Sequence, residues 1–328
     1  MSNRRQFLRQ SLGTVTAVAL ATPALSKFAR ADVWPSRPIK AVVPFTAGST
    51  VDIVGRIVLE PLSAQLGQPI IVENRGGAGG TIGTAAVGKS DPDGYTILIN
   101  ASAHSAAPAA YPNVTYDTAN DFSAVASFGS VPNVCVISPS KNIKTLKELV
   151  AAAKAGNFTY ASAGVGSATH WAAERLRLSA GFAGTHVPFR GGPEALTEVM
   201  TGRVDFMCIG VSSGLAFIQD GRLIPLAVCT PKRSAALPDV PTTLESGLPD
   251  SDYTFWNGML VPVKTPREIV TRLYTEVQKA LVLPSVQQKF APQGIESMPL
   301  TPAEFDALIK KEITTNLALA KAAGMKFN

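Results

Sequence analysis

The sequence predicts an α/β protein built as two lobes with a ligand cleft between them. Three observations carry this. Short apolar runs alternate with amphipathic helical segments, the pattern of strands covered by helices. The alternation falls into two series, 32–130 and 131–228, and the helical stretch 229–328 reads as a return to the first lobe. Each series also contains a Gly/Ser-rich junction between a strand and a helix, the place where open α/β sheets take ligands.

In the first series, strands are expected at 39–45, 69–74 and 95–100, with a helix at 52–66 and a short one from Thr81. Ile53, Val54, Ile57, Val58 and Leu62 give 52–66 an apolar side. Pro61 inside it predicts a kink or a break. In the second series, strands at 133–138, 158–162, 185–189, 204–209 and 223–229 alternate with helices at 145–155, 167–180 and 193–202. Thr145 and Glu148 have capping-box spacing, and Pro193 stands in a first turn. Tail helices start at Thr265-Pro266 and at Thr301-Pro302-Ala303-Glu304, the latter again a capping box. Such alternation predicts parallel pairing. No Gly-, Ser- or Pro-rich linker separates the series, so the strands themselves are expected to cross between the lobes.

Residues 1–31 read as an export signal. Arg4-Arg5-Gln6-Phe7-Leu8 is followed by an uncharged stretch, 11–26, and by Ala29-Arg30-Ala31, a small-x-small cleavage pattern. The arginine pair favours the twin-arginine route, with cleavage after Ala31 and a periplasmic mature chain. The apolar stretch is shorter than the ~20 residues that cross a bilayer. Five of the 30 basic residues and none of the 24 acids lie in this segment, which leaves 25 against 24. The excess of positive charge therefore belongs to the signal, and no nucleic-acid footprint remains.

Cys135, Cys208 and Cys229 are widely spaced within apolar runs and read as buried free thiols, with a Cys208–Cys229 bridge as the alternative. His104, His170 and His186 lack metal-ligand spacing, so no metal is expected. The glycine cluster at 76–80 lacks the Lys-Ser/Thr of a phosphate loop and reads as close packing. Trp34, Trp171 and Trp256 read as core or lobe-interface residues, and Asp205 as a structural hydrogen-bond acceptor.

The chemistry concentrates at two matched junctions, Val43-Pro44-Phe45-Thr46-Ala47-Gly48-Ser49-Thr50 and Ala161-Ser162-Ala163-Gly164-Val165-Gly166-Ser167. Gly48, Gly164 and Gly166 allow tight turns and a close approach of backbone to ligand. The first amides of each following helix lack internal partners and sit at the positive end of the helix dipole. Each junction is therefore suited to an anionic oxygen pair, with Ser49, Thr50, Ser162 and Ser167 as hydroxyl donors.

Along nearly all of its mature length the chain resembles the Bug-type periplasmic receptors of tripartite tricarboxylate transporters. The resemblance rests on Trp34-Pro35-Ser36-Arg37-Pro38-Ile39, Leu66-Gly67-Gln68-Pro69, Val72-Glu73-Asn74-Arg75, Gly77-Ala78-Gly79-Gly80 and Pro92-Asp93-Gly94-Tyr95-Thr96. It continues through Tyr160-Ala161-Ser162, His186-Val187-Pro188, Gly202-Arg203-Val204-Asp205 and Leu237-Pro238-Asp239-Val240-Pro241-Thr242. It implies a type II periplasmic-binding fold that closes on a carboxylate, a permease partner, and a monomer. By position it implies ligand contacts from Phe45, Thr46, Ala47, Gly48 and Ser49 and from Ala163, Gly164, Val165, Gly166 and Ser167. The loop after the third strand, with Ser102 and His104, is also implied to face the cleft.

Departures from the family pattern shape the expected ligand. Ala47-Gly48-Ser49 replaces Pro-Gly-Gly, Ile209-Gly210 replaces Asp-Asn, and Phe189-Arg190 replaces Tyr-Lys. Losing an acid and gaining Phe189 and Ile209 points to a carboxylate with an apolar or aromatic body, such as an aromatic dicarboxylate. No cofactor and no catalytic set is expected. The alternatives are a ligand-presenting subunit of a membrane sensor kinase and an exported hydrolase.

Overall fold

The computed structural model describes residues 34–322; the export signal expected at 1–31 lies outside the described residues. The first part of the chain forms β1 (Ile39–Val43), α1 (Thr50–Leu66), β2 (Ile70–Asn74), α2 (Thr81–Gly88), β3 (Thr96–Ala101) and α3 (Ala103–Ala110). A long strand, β4 (Phe122–Ile137), leads into α4 (Leu146–Ala155), β5 (Phe158–Ser162), α5 (Ala168–Ala180), β6 (Gly184–Pro188), α6 (Gly192–Met200), β7 (Phe206–Gly210), α7 (Val211–Gln219) and β8 (Ile224–Val228). The chain returns through β9 (Thr254–Pro262) and ends in α8 (Arg267–Leu281), α9 (Pro284–Phe290) and α10 (Pro302–Ala322).

The strands follow the order β2-β1-β3-β9-β4-β7-β5-β6, with β8 also paired to β4. β1 pairs in parallel with β2 and β3, and β5 with β6 and β7. β9 is antiparallel to β3 and β4, and β4 is antiparallel to β7 and β8. The expected purely parallel pairing is therefore corrected to a mixed sheet. The cause is β4: from Phe122 it runs along β9, and from Asn133 it runs along β7 and β8. One strand thus joins a half built on β1–β3 to a half built on β5–β7.

Of the kink or break expected at Pro61, the break does not occur: α1 is continuous over 17 residues. Proline removes one helical N–H and costs about 3 kcal/mol. Val54, Val58, Leu59, Leu62 and Leu66 are buried on the same helix, and each such side chain contributes roughly 1.5–3 kcal/mol. Packing outweighs the defect. The stretch read as a loop around Ser102 and His104 is instead the start of α3, where alanine propensity prevails despite Pro108. Both capping boxes form, Glu148 N–H donating to Thr145 Oγ1 at 3.2 Å and Glu304 N–H to Thr301 Oγ1 at 3.3 Å.

Trp171 and Trp256 are fully buried. The three cysteines are buried and unbridged; Cys135 lies opposite Cys208 on β4–β7, and the Cys208 and Cys229 sulfurs are 3.9 Å apart. Asp205 ties two elements together, accepting from Lys141 Nζ at 2.6 Å and from the Thr159 amide at 2.8 Å. The glycine cluster packs closely: a Cβ on Gly79 would strike the Val165 carbonyl, and one on Gly83 would stand 2.7 Å from the Arg75 carbonyl.

Candidate functional site

Two helix starts are built alike. Ser49 caps α1 with φ −69° and ψ 159°, and its hydroxyl accepts from the Asp52 amide at 3.4 Å. Ser167 caps α5 with φ −67° and ψ 160°, and its hydroxyl accepts from the His170 amide at 3.3 Å. Left-handed glycines precede both caps: Gly48 at φ +76°, and Gly164 and Gly166 at +116° and +71°. These turns aim the two helices from different halves of the sheet at one cavity.

That cavity holds about 30 Å³, room for a water or two rather than an organic acid. Its wall consists of Ser49, Thr50 and Val51 from α1, Ser167, Ala168 and Thr169 from α5, and Phe45, Ala101, Ala103, Ala163, Gly192, Ile209 and Phe255. No wall residue carries a charge. Ala103 and Gly192 are the first residues of α3 and α6, so four helix starts meet here.

The hydrogen bonds identify the amides available to an anion. Gly48 N–H donates to Asp52 Oδ2 at 2.9 Å, and Ser49 N–H to the Thr46 carbonyl at 3.1 Å. In the second loop, Ala163 N–H donates to Thr169 Oγ1, Gly164 N–H to Ser162 Oγ, Gly166 N–H to His170 Nδ1 and Ser167 N–H to the Gly164 carbonyl. These loop amides are taken up internally. The first-turn amides of Thr50, Val51, Ala168 and Thr169 donate to no other protein group among the described residues. Of the loop residues expected from the sequence, Thr46, Ala47 and Val165 likewise have amides that donate to no other protein group among the described residues, so the open donors run from each loop into the first turn of its helix.

Asp52 stiffens the first start. Buried beneath the loop, it accepts from Arg56 Nε and from Asn74 Nδ2, both at 2.9 Å. Asn74 also donates to the Phe45 carbonyl at 3.1 Å.

Contacts across the cleft draw the halves together. Thr50 Oγ1 and Ser213 Oγ are 3.0 Å apart, Ser213 Oγ also donates to the Gly48 carbonyl, and Tyr111 OH donates to the Val165 carbonyl at 2.9 Å. Thr46 packs on Gly191 and Thr50 on Gly210, where an added Cβ would collide with the threonine hydroxyls.

Of the residues singled out from the sequence, Phe45, Ser49, Thr50, Ala163, Ser167 and Ile209 line the cavity. Thr46, Ala47, Gly48, Gly164, Val165 and Gly166 form the loops around it without contributing wall. Phe189 packs beside the apolar cluster that contains Ile209. Ser102 precedes α3 without a side-chain cap bond, and its hydroxyl lies 3.2 Å from Tyr253 OH. His104 is buried against Phe122, ring centroids 5.0 Å apart, and burial lowers its pKa to about 4. Neither Ser102 nor His104 is on the wall; Ala101 and Ala103 are. The residues missed are Val51, Ala101, Ala103, Ala168, Thr169, Gly192 and Phe255. Applying the helix-start argument to every strand–helix junction finds Ala103 and Gly192. No local signal marks Phe255, which arrives on the returning strand β9.

The sequence profile described as "Tripartite tricarboxylate transporter family receptor" matches residues 54–325. Protein BugT of Bordetella pertussis is 33% identical over 319 residues, covering 95% of this chain and 97% of BugT. Among solved structures, the periplasmic binding protein BugD superimposes with a TM-score of 0.86 at 33% identity, covering 89% of this chain and 99% of that one. An R. palustris protein with adipate gives 0.85 at 32% identity, covering 89% and 98%. MatC of Rhodopseudomonas palustris with bound malate gives 0.83 at 30% identity, covering 87% and 99%.

Proposed function

We propose, from the premise that this chain belongs to the tripartite tricarboxylate transporter receptor family, that it is an exported receptor for a small organic carboxylate with an apolar body. The observation that carries this is the pair of opposed helix starts, Ser49-Thr50-Val51 and Ser167-Ala168-Thr169, on one uncharged cavity. A carboxylate between them takes up amides that are otherwise unpaired, at the positive ends of two dipoles. Charge-assisted hydrogen bonds contribute roughly 1.5–3 kcal/mol each. Three or four, less ordering costs, approach the roughly −8 kcal/mol of micromolar binding.

The rest of the wall decides the body of the ligand. Phe45, Ala101, Ala103, Ile209 and Phe255 favour hydrocarbon or an aromatic ring. An ammonium group buried there would lack an acidic partner, at a cost of several kcal/mol. The binding cycle we infer opens the halves about β4 and β9, seats the acid, and closes them through Ser213 and Tyr111. The halves correspond to lobes at 32–130 with 229–328 and at 131–228. The same reading has the chain exported through the twin-arginine route, cleaved after Ala31, and acting in the periplasm. There it delivers its ligand, as a monomer and without catalysis, to the membrane permease subunits of a tripartite transporter.

Thermal-shift and calorimetric titration of the mature chain with adipate, benzoate, terephthalate, malate, citrate and aspartate tests the reading. Stabilisation by the apolar-bodied acids is expected, since a ligand that binds only the native state raises the melting temperature. A clear preference for citrate, malate or aspartate overturns the apolar-body assignment; turnover of a bound acid overturns the receptor assignment.

A further inference from the structure

Two histidines, His170 buried and His186 half-buried, lie behind the second ligand loop and outside the cavity wall. His170, in the first turn of α5, and His186, on β6, stack with ring centroids 3.9 Å apart and planes 10° from parallel. Tyr160 stacks on His186 at 5.1 Å. Each histidine reaches a different part of the loop. His170 Nδ1 accepts from the Gly166 amide at 3.1 Å. His186 Nε2 lies 2.6 Å from Ser162 Oγ, which in turn accepts from the Gly164 amide at 3.1 Å.

We propose that His170 and His186 are positioning residues for ligand capture: as neutral imidazoles, His170 takes up the Gly166 amide and His186 holds the Ser162 hydroxyl that takes up the Gly164 amide, which fixes the loop so that the Ala168 and Thr169 amides face the anion. The inference rests on the carboxylate-receptor reading for its effect on affinity, but not for the loop geometry.

The chemistry requires the neutral ring. An imidazole nitrogen that accepts from an amide carries no proton, so His170 bears its hydrogen on Nε2. Protonation would turn Nδ1 into a donor facing the Gly166 N–H. It would also set positive charge at the α5 N-terminus, the unfavourable end of the dipole. The surroundings oppose protonation. Burial, followed by the neighbouring His186, holds His170 at about 3, and burial holds His186 at about 4. The charged groups packed around the pair are Glu174 and Arg177 of α5, and these pair with each other at 2.7 Å, with Tyr160 of β5 donating to the same carboxylate. A small carboxylic acid ionises near pH 4. Over the range in which such a ligand is an anion, both rings therefore remain neutral, His170 Nδ1 remains an acceptor, and the loop keeps its form.

The test combines a spectroscopic readout on the ligand-free protein with a rescue series. In the mature chain at pH 7, nitrogen NMR of the histidines should show His170 with Nδ1 unprotonated, and the Gly166 amide should be protected from exchange. His170→Asn keeps an acceptor near the Nδ1 position. It should retain Gly166 protection and hold adipate within about threefold of the unmodified chain. His170→Leu keeps the bulk and loses the acceptor; it should lose that protection and bind adipate at least tenfold more weakly, while Ser162→Ala should lose Gly164 protection. A protonated Nδ1 at pH 7, or a Gly166 amide equally protected in His170→Leu, overturns the proposal. So does adipate binding in His170→Leu equal to the unmodified chain. If adipate binds none of the proteins, the receptor reading for that acid fails, while the spectra still decide the roles of the histidines.

Discussion

Ser49 and Ser167, more than a hundred residues apart in sequence, cap their helices with backbone angles that agree within 2°. The match is physical rather than decorative. An N-cap serine in extended conformation leaves the next two amides pointing along the helix axis. Two such caps on opposite sides of one cavity present two pairs of donors to the same space.

The most direct consequence concerns a single amide. Ala168 occupies the first position of α5, where proline is tolerated because its missing N–H has no helical partner. Ser167 before it is extended, as a residue preceding proline must be. Ala168→Pro should therefore fold with a melting temperature within about 2 °C of the unmodified chain. It should bind the best acid of the screen about 10- to 100-fold more weakly, the worth of one charge-assisted hydrogen bond. Unchanged affinity in a calorimetric titration would show that the α5 start is not a donor.

Caps offer a comparison between site and scaffold. Ser49→Ala and Thr145→Ala each remove an N-cap oxygen, at about 1 kcal/mol of stability. Only Ser49 lies on the cavity wall. Chemical denaturation should report similar losses for both variants, with weakened ligand binding in Ser49→Ala alone.

Closure has its own residues. Ser213→Ala deletes the bridge to Thr50 and to the Gly48 carbonyl, and a net hydrogen-bond contribution of about 0.5–1.5 kcal/mol predicts two- to tenfold weaker binding, expressed in the off-rate. Gly210→Ala acts by volume: its Cβ would stand 3.0 Å from Thr50 Cγ2 and closer still to the hydroxyl. Ligand-saturated Gly210→Ala should keep a larger radius of gyration by small-angle scattering than the unmodified protein. Equal compaction would place the closing contact elsewhere.

Stability should fall as pH is lowered, and the histidines set the window. Burial lowers His104 and His186 to about 4 and, together with the nearby His186, His170 to about 3, against an ordinary value of 6.5. Between these values the unfolded chain binds more protons than the folded one. Their contribution is thus complete above pH 6.5 and is lost as pH falls toward 3–4. Each unmatched proton gives a slope of about 1.4 kcal/mol per pH unit. Melting temperatures should decline steadily from pH 7 to pH 4.5; a flat profile would mean the rings are protonated in the native state.

Most strands and helices of the two series, the two Gly/Ser junctions and the two capping boxes were legible in the sequence because each depends on neighbours within a turn or two; α7 and β9 were not. Alternating apolar runs locate strands, and a Ser or Thr three residues before a partner locates a cap. The continuity of α1 through Pro61 and the helical form of α3 were not legible for the converse reason: burial along α1 and the packing of an alanine-rich segment are tertiary, and they override local propensity.

What the sequence determined by itself is that two Ser-capped helix starts preceded by glycine exist, one in each series. Only the tertiary structure decided which amides are left open, because that depends on which donors the folded loop already occupies. His170 and Ser162 claim the Gly166 and Gly164 amides, and Thr169 claims that of Ala163. The long strand β4 and the returning β9 likewise decided that Phe255 joins the wall. Contacts between residues so distant in the chain are set by the packing of the whole sheet, and no local pattern encodes them.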